Sequence, residues 1–209
     1  PSQMFTAIDS VPLTAIAFFM LTGELMTSAT ITDRLVALSR ALIGRIKGGL
    51  AQVNVLVSMF FAGMNGSVVA DTATVGALVL PAMKKAGYPA AFSAAVTGVS
   101  STIGGIIPPS IMMIVLANAT EISIASLFAA GIVPGILIGV VIMVINHYFA
   151  VKYNFERSDE PFSVRRAGKE LYRSSFALLI PLVLVGSVMG GVASVVEAGA
   201  ITALVALFT

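Results

Sequence analysis

Residues 65–72 read Asn65-Gly66-Ser67-Val68-Val69-Ala70-Asp71-Thr72, a polar tip held between two apolar legs. The first leg, 48–64, carries no charge. The second leg, 73–83, runs about 11 residues before Lys84-Lys85 closes it, whereas a helix crossing a ~30 Å hydrocarbon core needs about 20. By that count the second leg is too short to span. Arg45 and Lys47 precede the first leg and Lys84 and Lys85 follow the second, so both ends read as cytoplasmic. The pattern predicts a re-entrant helical hairpin over 48–86 whose tip lies at membrane depth. Non-helical backbone is tolerated there only where it is packed in protein or lines a cavity.

The composition sets the solvent. Of the 209 residues 57% are hydrophobic and 11% charged, about half the charge of an ordinary soluble domain. With a mean hydropathy of +1.00 the chain is an integral membrane protein. Cysteine is absent, which excludes a disulfide framework and thiolate metal sites. No Trp is present, so an aromatic belt must come from Tyr and Phe. Pro1 is not an initiator, no signal peptide is visible, and a new apolar segment is only about 13 residues long when it reaches Thr209. Both ends suggest a piece of a longer polytopic chain.

Working outward from the hairpin, the expected organisation is all-α and multi-pass. Residues 1–31 form a transmembrane helix. Residues 32–47, with Leu35, Leu38, Leu42 and Ile46 set against Arg34, Arg40 and Arg45, form an amphipathic interfacial arm for which Thr32-Asp33 is the N-cap. After the hairpin (48–86) comes a broken transmembrane helix, 87–118. There Gly104-Gly105 and Pro108-Pro109 favour unwinding and remove backbone donors. Residues 125–152 are a span with a kink expected at Pro134-Gly135, 153–173 a cytoplasmic loop, 174–193 another span, and 194–209 the truncated start of a second repeat. The loop carries Lys152, Arg157, Arg165, Arg166, Lys169 and Arg173, against only Glu121 in the turn before Ile124, which sets the topology.

A carboxylate at membrane depth costs about 2.5–3.5 kcal/mol on insertion scales, so Asp71 demands a partner, a cation or water. Hard oxygen groups around Asn65, Ser67, Asp71 and Thr72, and around Ser100, Ser101, Thr102 and Gly105, suit an alkali cation. A half-helix beginning at Ser110 favours an anionic group. Two structural alternatives stay open: Asp71 as a simple cap of the second leg, and the Gly-Gly and Pro-Pro pairs as a mere kink. His147 reads as an interfacial residue, and Ser67 with His147 lacks the supporting elements of a serine nucleophile, so no enzyme is expected. A non-transporting pore or scaffold subunit is a further alternative.

The runs 48–73, Pro81-Ala82-Met83-Lys84-Lys85-Ala86-Gly87-Tyr88, Ile106-Ile107-Pro108-Pro109-Ser110, 13–26 and Val196-Glu197-Ala198-Gly199-Ala200 resemble, in order and spacing, the large membrane subunit of tripartite ATP-independent periplasmic (TRAP) transporters. The resemblance covers nearly the whole chain. It implies an elevator-type, ion-transporter-like fold in the bacterial inner membrane and Na⁺-coupled import of an organic acid. It also implies a small four-helix membrane subunit and a periplasmic substrate-binding protein as partners, in a lipid bilayer and with no nucleic acid. On its motifs Asn65, Gly66, Ser67, Ser100, Ser101, Thr102 and Gly105 are expected around Na⁺. Ser67, Asp71, Thr72, Pro108, Pro109 and Ser110 are expected near substrate. The runner-up is a Na⁺-coupled anion carrier working without a binding protein. Gly105 stands where the family pattern leads one to expect proline, and Ser194-Val195-Val196-Glu197 replaces a more usual Thr-Pro-Thr-Glu.

Overall fold

The structure, a computed structural model, describes residues 11–28, 31–155 and 163–207. The outer part of the first span, the residues joining it to the arm, the middle of the 153–173 loop and the final two positions therefore lie outside the described residues. Those described form an all-helical membrane protein without strands. The helices are α1 (Val11–Ser28), α2 (Ile31–Ile43), α3 (Gly49–Asn65), α4 (Val68–Lys85), α5 (Ala90–Ser101), α6 (Ile111–Thr120), α7 (Ile124–Lys152), α8 (Val164–Met189) and α9 (Val195–Leu207). A short 3-10 turn, Thr102–Gly105, follows α5 directly. Among these, α7 and α8 are long and apolar enough to cross a membrane alone.

The centre of the molecule is α3. Gly49, Ala51–Val55, Val57, Ser58 and Phe61–Asn65 are all buried, so its polar residues face protein on nearly every side. It packs on α2, α4, α5 and α7, and one apolar core joins Val53, Val57 and Phe61 to Val75, Val79, Val96 and Ile103. A second core joins Phe19, Ile114, Phe128 and Leu184, where α9 returns onto α1 with Gly199 against Phe18 and Phe19.

The register of α3 on α7 can be read from contacts. Gly48 touches Ala150 and Met59 touches Gly139, so the two helices advance in opposite directions by the same number of residues. Gly139, Gly135 and Gly131 form a row one turn apart. A Cβ there would collide with Met59, with Ile107, and with Met113 and the Ile106 carbonyl respectively. The small-residue pair Gly131 and Gly135 is thus occupied by the broken segment of this same chain. At the far end Tyr88 and Phe92 pack on Phe155, with ring centroids 4.7 and 5.1 Å away, and Lys47 Nζ donates to Asn154 Oδ1 at 3.3 Å. Both open ends of the hairpin therefore meet the C-terminal end of α7.

Three expectations need correction. The polar tip is far narrower than residues 65–72: α4 begins at Val68 because the Ser67 hydroxyl caps it, accepting from Ala70 N at 3.3 Å. The second leg is then 18 residues, about 27 Å at 1.5 Å each, and its length alone no longer forbids a crossing. The helix expected from Ser174 starts at Val164, capped by Ser163, whose Oγ accepts from Arg166 N at 3.4 Å. Thr32 and Asp33 lie inside the first turn of α2 rather than ahead of it.

Candidate functional site

Two helix starts and one hairpin turn converge at Gly66. Its φ of 60° is left-handed, and its carbonyl accepts from Ile111 N at 3.2 Å, tying the hairpin to the first turn of α6. A Cβ at Gly66 would overlap the Pro109 carbonyl oxygen and sit 3.0 Å from Ser110 Cα. Asn65 Oδ1 accepts from Ser67 N at 3.0 Å, which leaves the buried Asn65 Nδ2 without a partner. Ser110 caps α6: its hydroxyl accepts from Met113 N at 3.4 Å and donates to the Gly105 carbonyl at 2.8 Å. The 3-10 turn lies against the same tip, since a Cβ at Gly104 would stand 3.7 Å from Val68 N and one at Gly105 would stand 3.3 Å from Val68 Cγ2. Pro108 and Pro109 are buried beneath it, joined by a cis peptide.

A second polar group lies deeper, between both hairpin legs and α5. Asn54 Nδ2 donates to Thr97 Oγ1 at 2.7 Å, and Thr97 Oγ1 in turn donates to the Ser93 carbonyl at 3.0 Å. Ser100 Oγ lies 3.2 Å from Ser58 Oγ, 3.4 Å from Asn54 Oδ1 and 3.1 Å from the Thr97 carbonyl, so one proton is shared among several acceptors. Ser101 Oγ donates to the Thr97 carbonyl at 2.8 Å. All these side chains are buried.

Asp71 faces this seam. It is 0% exposed, and neither Oδ1 nor Oδ2 has a hydrogen-bond partner. The hydroxyls of Ser101 and Ser58 are its side-chain neighbours, yet neither makes a bond of good geometry. The capping reading fails, because Ser67 holds the cap and Asp71 sits in the first turn behind it. There the helix dipole helps a carboxylate by about 0.3–1 kcal/mol. The uncompensated burial of an ion costs several. The dipole alone does not balance that cost.

The site residues expected from sequence thus divide. Asn65, Gly66, Ser67, Gly105, Pro108, Pro109 and Ser110 meet at the tip, while Asp71, Ser100 and Ser101 meet in the seam. Thr72 and Thr102 join neither: both are exposed and bond their own helix, Thr72 to the Val68 carbonyl at 2.8 Å and Thr102 to the Val99 carbonyl at 2.7 Å. Asn54, Ser58 and Thr97 belong to the seam and were not singled out by sequence. The signal was present, since Asn54, Ser58 and Asn65 fall on one face of a helix, as do Ser93, Thr97, Ser100 and Ser101.

A multi-pass helical membrane protein with a helical hairpin locked to a broken helix, and with an unpartnered carboxylate between them, belongs to the architecture used by secondary transporters. The whole chain, residues 1–209, matches the family described as tripartite ATP-independent periplasmic transporter, DctM component, and the chain belongs to that family. It is 36% identical over 206 residues to the sialic acid TRAP transporter large permease protein SiaM of Vibrio cholerae, covering 99% of this chain and 48% of the relative. Identity and coverage are the same for the C4-dicarboxylate TRAP transporter large permease protein DctM of Pseudomonas aeruginosa. The isethionate TRAP transporter permease protein DctMQ of Oleidesulfovibrio alaskensis is 34% identical over 203 residues, with 97% of this chain and 32% of the relative covered. The chain spans about half the length of the large permeases and about a third of the longer DctMQ protein.

Proposed function

We propose that this segment supplies one hairpin and one cation seat to a permease that couples Na⁺ entry to import of an organic anion across the bacterial inner membrane. The observation that carries the reading is Asp71, a fully buried carboxylate with both oxygens unpartnered beside the Ser58 and Ser101 hydroxyls. One carboxylate with neutral oxygen donors fits a singly charged hard cation, because the charges cancel and no soft ligand is needed. Among the described residues no cluster of His, Cys, Asp or Glu suits a polyvalent metal. Asp71 belongs with the cation rather than with an anionic substrate, which it would repel.

The substrate's carboxylate is assigned to the tip, where α4 and α6 both begin and present their positive dipole ends. The relatives' names point to sialic acid and C4-dicarboxylates, which carry such a group, and to isethionate, whose sulfonate is likewise an anionic oxygen head. The register of α3 on α7 supports a re-entrant hairpin. Extended from Gly48–Ala150 and Met59–Gly139, it places Gly66 level with about residue 132 of α7, whose apolar stretch runs from Ile124 to Ile145. The tip then lies about 12 Å inside that stretch at 1.5 Å per residue. Family membership favours the TRAP assembly, with a small membrane subunit and a periplasmic binding protein, over a carrier that works without one. The deciding experiment is uptake of a labelled organic acid into liposomes holding the full-length permease and its partners. Uptake should require an inward Na⁺ gradient, and Asp71→Asn should blunt that requirement. Equal uptake by the wild-type protein with and without Na⁺ would overturn the proposal.

A further inference from the structure

α8 is longer than its membrane needs. Its 26 residues extend about 39 Å at 1.5 Å each, against a hydrocarbon core of about 30 Å. The apolar part is the C-terminal one, Phe176–Met189, so the overhang is the start, Val164–Arg173, about 15 Å of helix, where the chain meets the headgroups. The overhang is basic. Arg165, Lys169 and Arg173 are spaced i, i+4, i+8 on one line, Arg166 stands beside them, and all are exposed. Tyr172, 83% exposed, and Phe176, 43% exposed, lie on that same side, placing aromatic rings at the depth where membrane proteins carry them.

The interfacial arm adds a fifth cation. α2 packs along α8, Arg34 Nη1 donates to the Arg173 carbonyl at 3.4 Å, and Ser174 Oγ donates to the Arg34 carbonyl at 3.2 Å. Two carboxylates are interspersed, Asp33 and Glu170, the latter 3.6 Å from Arg173. The patch therefore retains an excess of positive charge. Its side chains wall two adjoining open hollows of about 470 and 610 Å³, one between Arg34 and Arg173 and the other around Arg165, Arg166 and Lys169.

We propose that the overhang of α8, together with Arg34 of α2, is a docking surface for anionic phospholipid headgroups, the phosphodiester monoanions of phosphatidylglycerol and related lipids. The charge is complementary, Arg fits phosphate oxygens in a bidentate fork, and the helix holds these groups at headgroup depth with acyl chains able to run along Phe176, Leu179 and Val183, all exposed. A lipid held there spans α2 and α8 and fixes the angle between arm and span. This surface is separate from the seam and the tip, and stands whether or not those bind Na⁺ and substrate.

The test uses the full-length permease with its small subunit, released from nanodiscs holding equal phosphatidylglycerol and phosphatidylcholine, with retained lipids counted by native mass spectrometry. Each basic residue near an anionic surface is worth about fivefold in affinity. Arg165→Gln with Lys169→Gln should therefore lower phosphatidylglycerol retention by roughly tenfold or more, while Glu170→Gln should raise it. Phosphatidylcholine retention should not change in either variant, and millimolar inorganic phosphate should not displace the retained lipid. Unchanged phosphatidylglycerol retention in the double variant would overturn the proposal. So would equal retention of both lipids by the wild-type protein, and displacement by phosphate would reassign the patch to a soluble anion.

Discussion

Replacing Asp71 by Asn separates charge from shape at the one buried charged side chain among the described residues, which has no hydrogen-bond partner. Asn is nearly isosteric, and its amide can donate to the Ser58 and Ser101 hydroxyls that neighbour the carboxylate. If a Na⁺ ion neutralises Asp71, wild-type stability must rise with Na⁺ as RT ln(1 + [Na⁺]/Kd), about 2.7 kcal/mol at a hundredfold excess over Kd. The assayed permease is about twice as long as this chain, which covers 48% of its relative, so at roughly 1–2 °C per kcal/mol the wild-type melting temperature should climb by about 3–5 °C. The Asn variant should climb by no more than about a degree or two, since the Coulomb attraction is gone. In Na⁺-free medium the order inverts: an uncompensated buried ion costs several kcal/mol, so the variant should melt above the wild type. The assay is thermal unfolding of the full-length permease with its small subunit in detergent. NaCl is compared with choline chloride at equal ionic strength so that general screening cancels. An equal Na⁺ shift in both proteins would place the ion elsewhere, and no shift in the wild type would remove the cation seat altogether.

The tip makes its own prediction. Gly66→Ala should cost about 1–2 kcal/mol for its left-handed backbone and more for overlap with the Pro109 carbonyl, whereas Gly87→Ala, at φ 79° with nothing within 4 Å, should cost the backbone strain only. Equal losses of melting temperature would mean that the hairpin and the broken helix are not locked together. Single cysteines at Lys84 and Lys152, both exposed, should be labelled from the cytoplasm, and one at the exposed Thr120 from the periplasm. Periplasmic labelling at Lys84 would make α4 a true crossing, which its 18 residues permit.

How much of this was written in the sequence depends on whether the signal was local. The break is local: Gly104, Gly105, Pro108 and Pro109 disfavour a helix by their own backbone chemistry, and a 3-10 turn followed by the Ser110 cap stands there. The hairpin turn is local too, because Gly66 alone tolerates the left-handed bend. Its width is not, because a polar residue need not interrupt a helix. Val68–Thr72 is polar at Asp71 and Thr72 yet fully helical, since the Ser67 cap supplies an acceptor to the free N–H groups and nothing after it interrupts the ladder. The start of α8 is hidden in the same way, since basic residues are as polar as a loop yet are good helix formers. The seam is not local. Asn54 and Thr97 are 43 positions apart, and Ser58 and Ser100 are 42 apart. Each leg shows only a polar stripe on an apolar helix, and which stripes meet is decided by tertiary packing. Had the stripes on α3 and α5 been paired at the outset, Asp71 would have stood out differently. Among the described residues it is the one facing them with a charge but no hydrogen-bond partner, so it marks the place where the fold leaves an electrostatic cost for a ligand to offset.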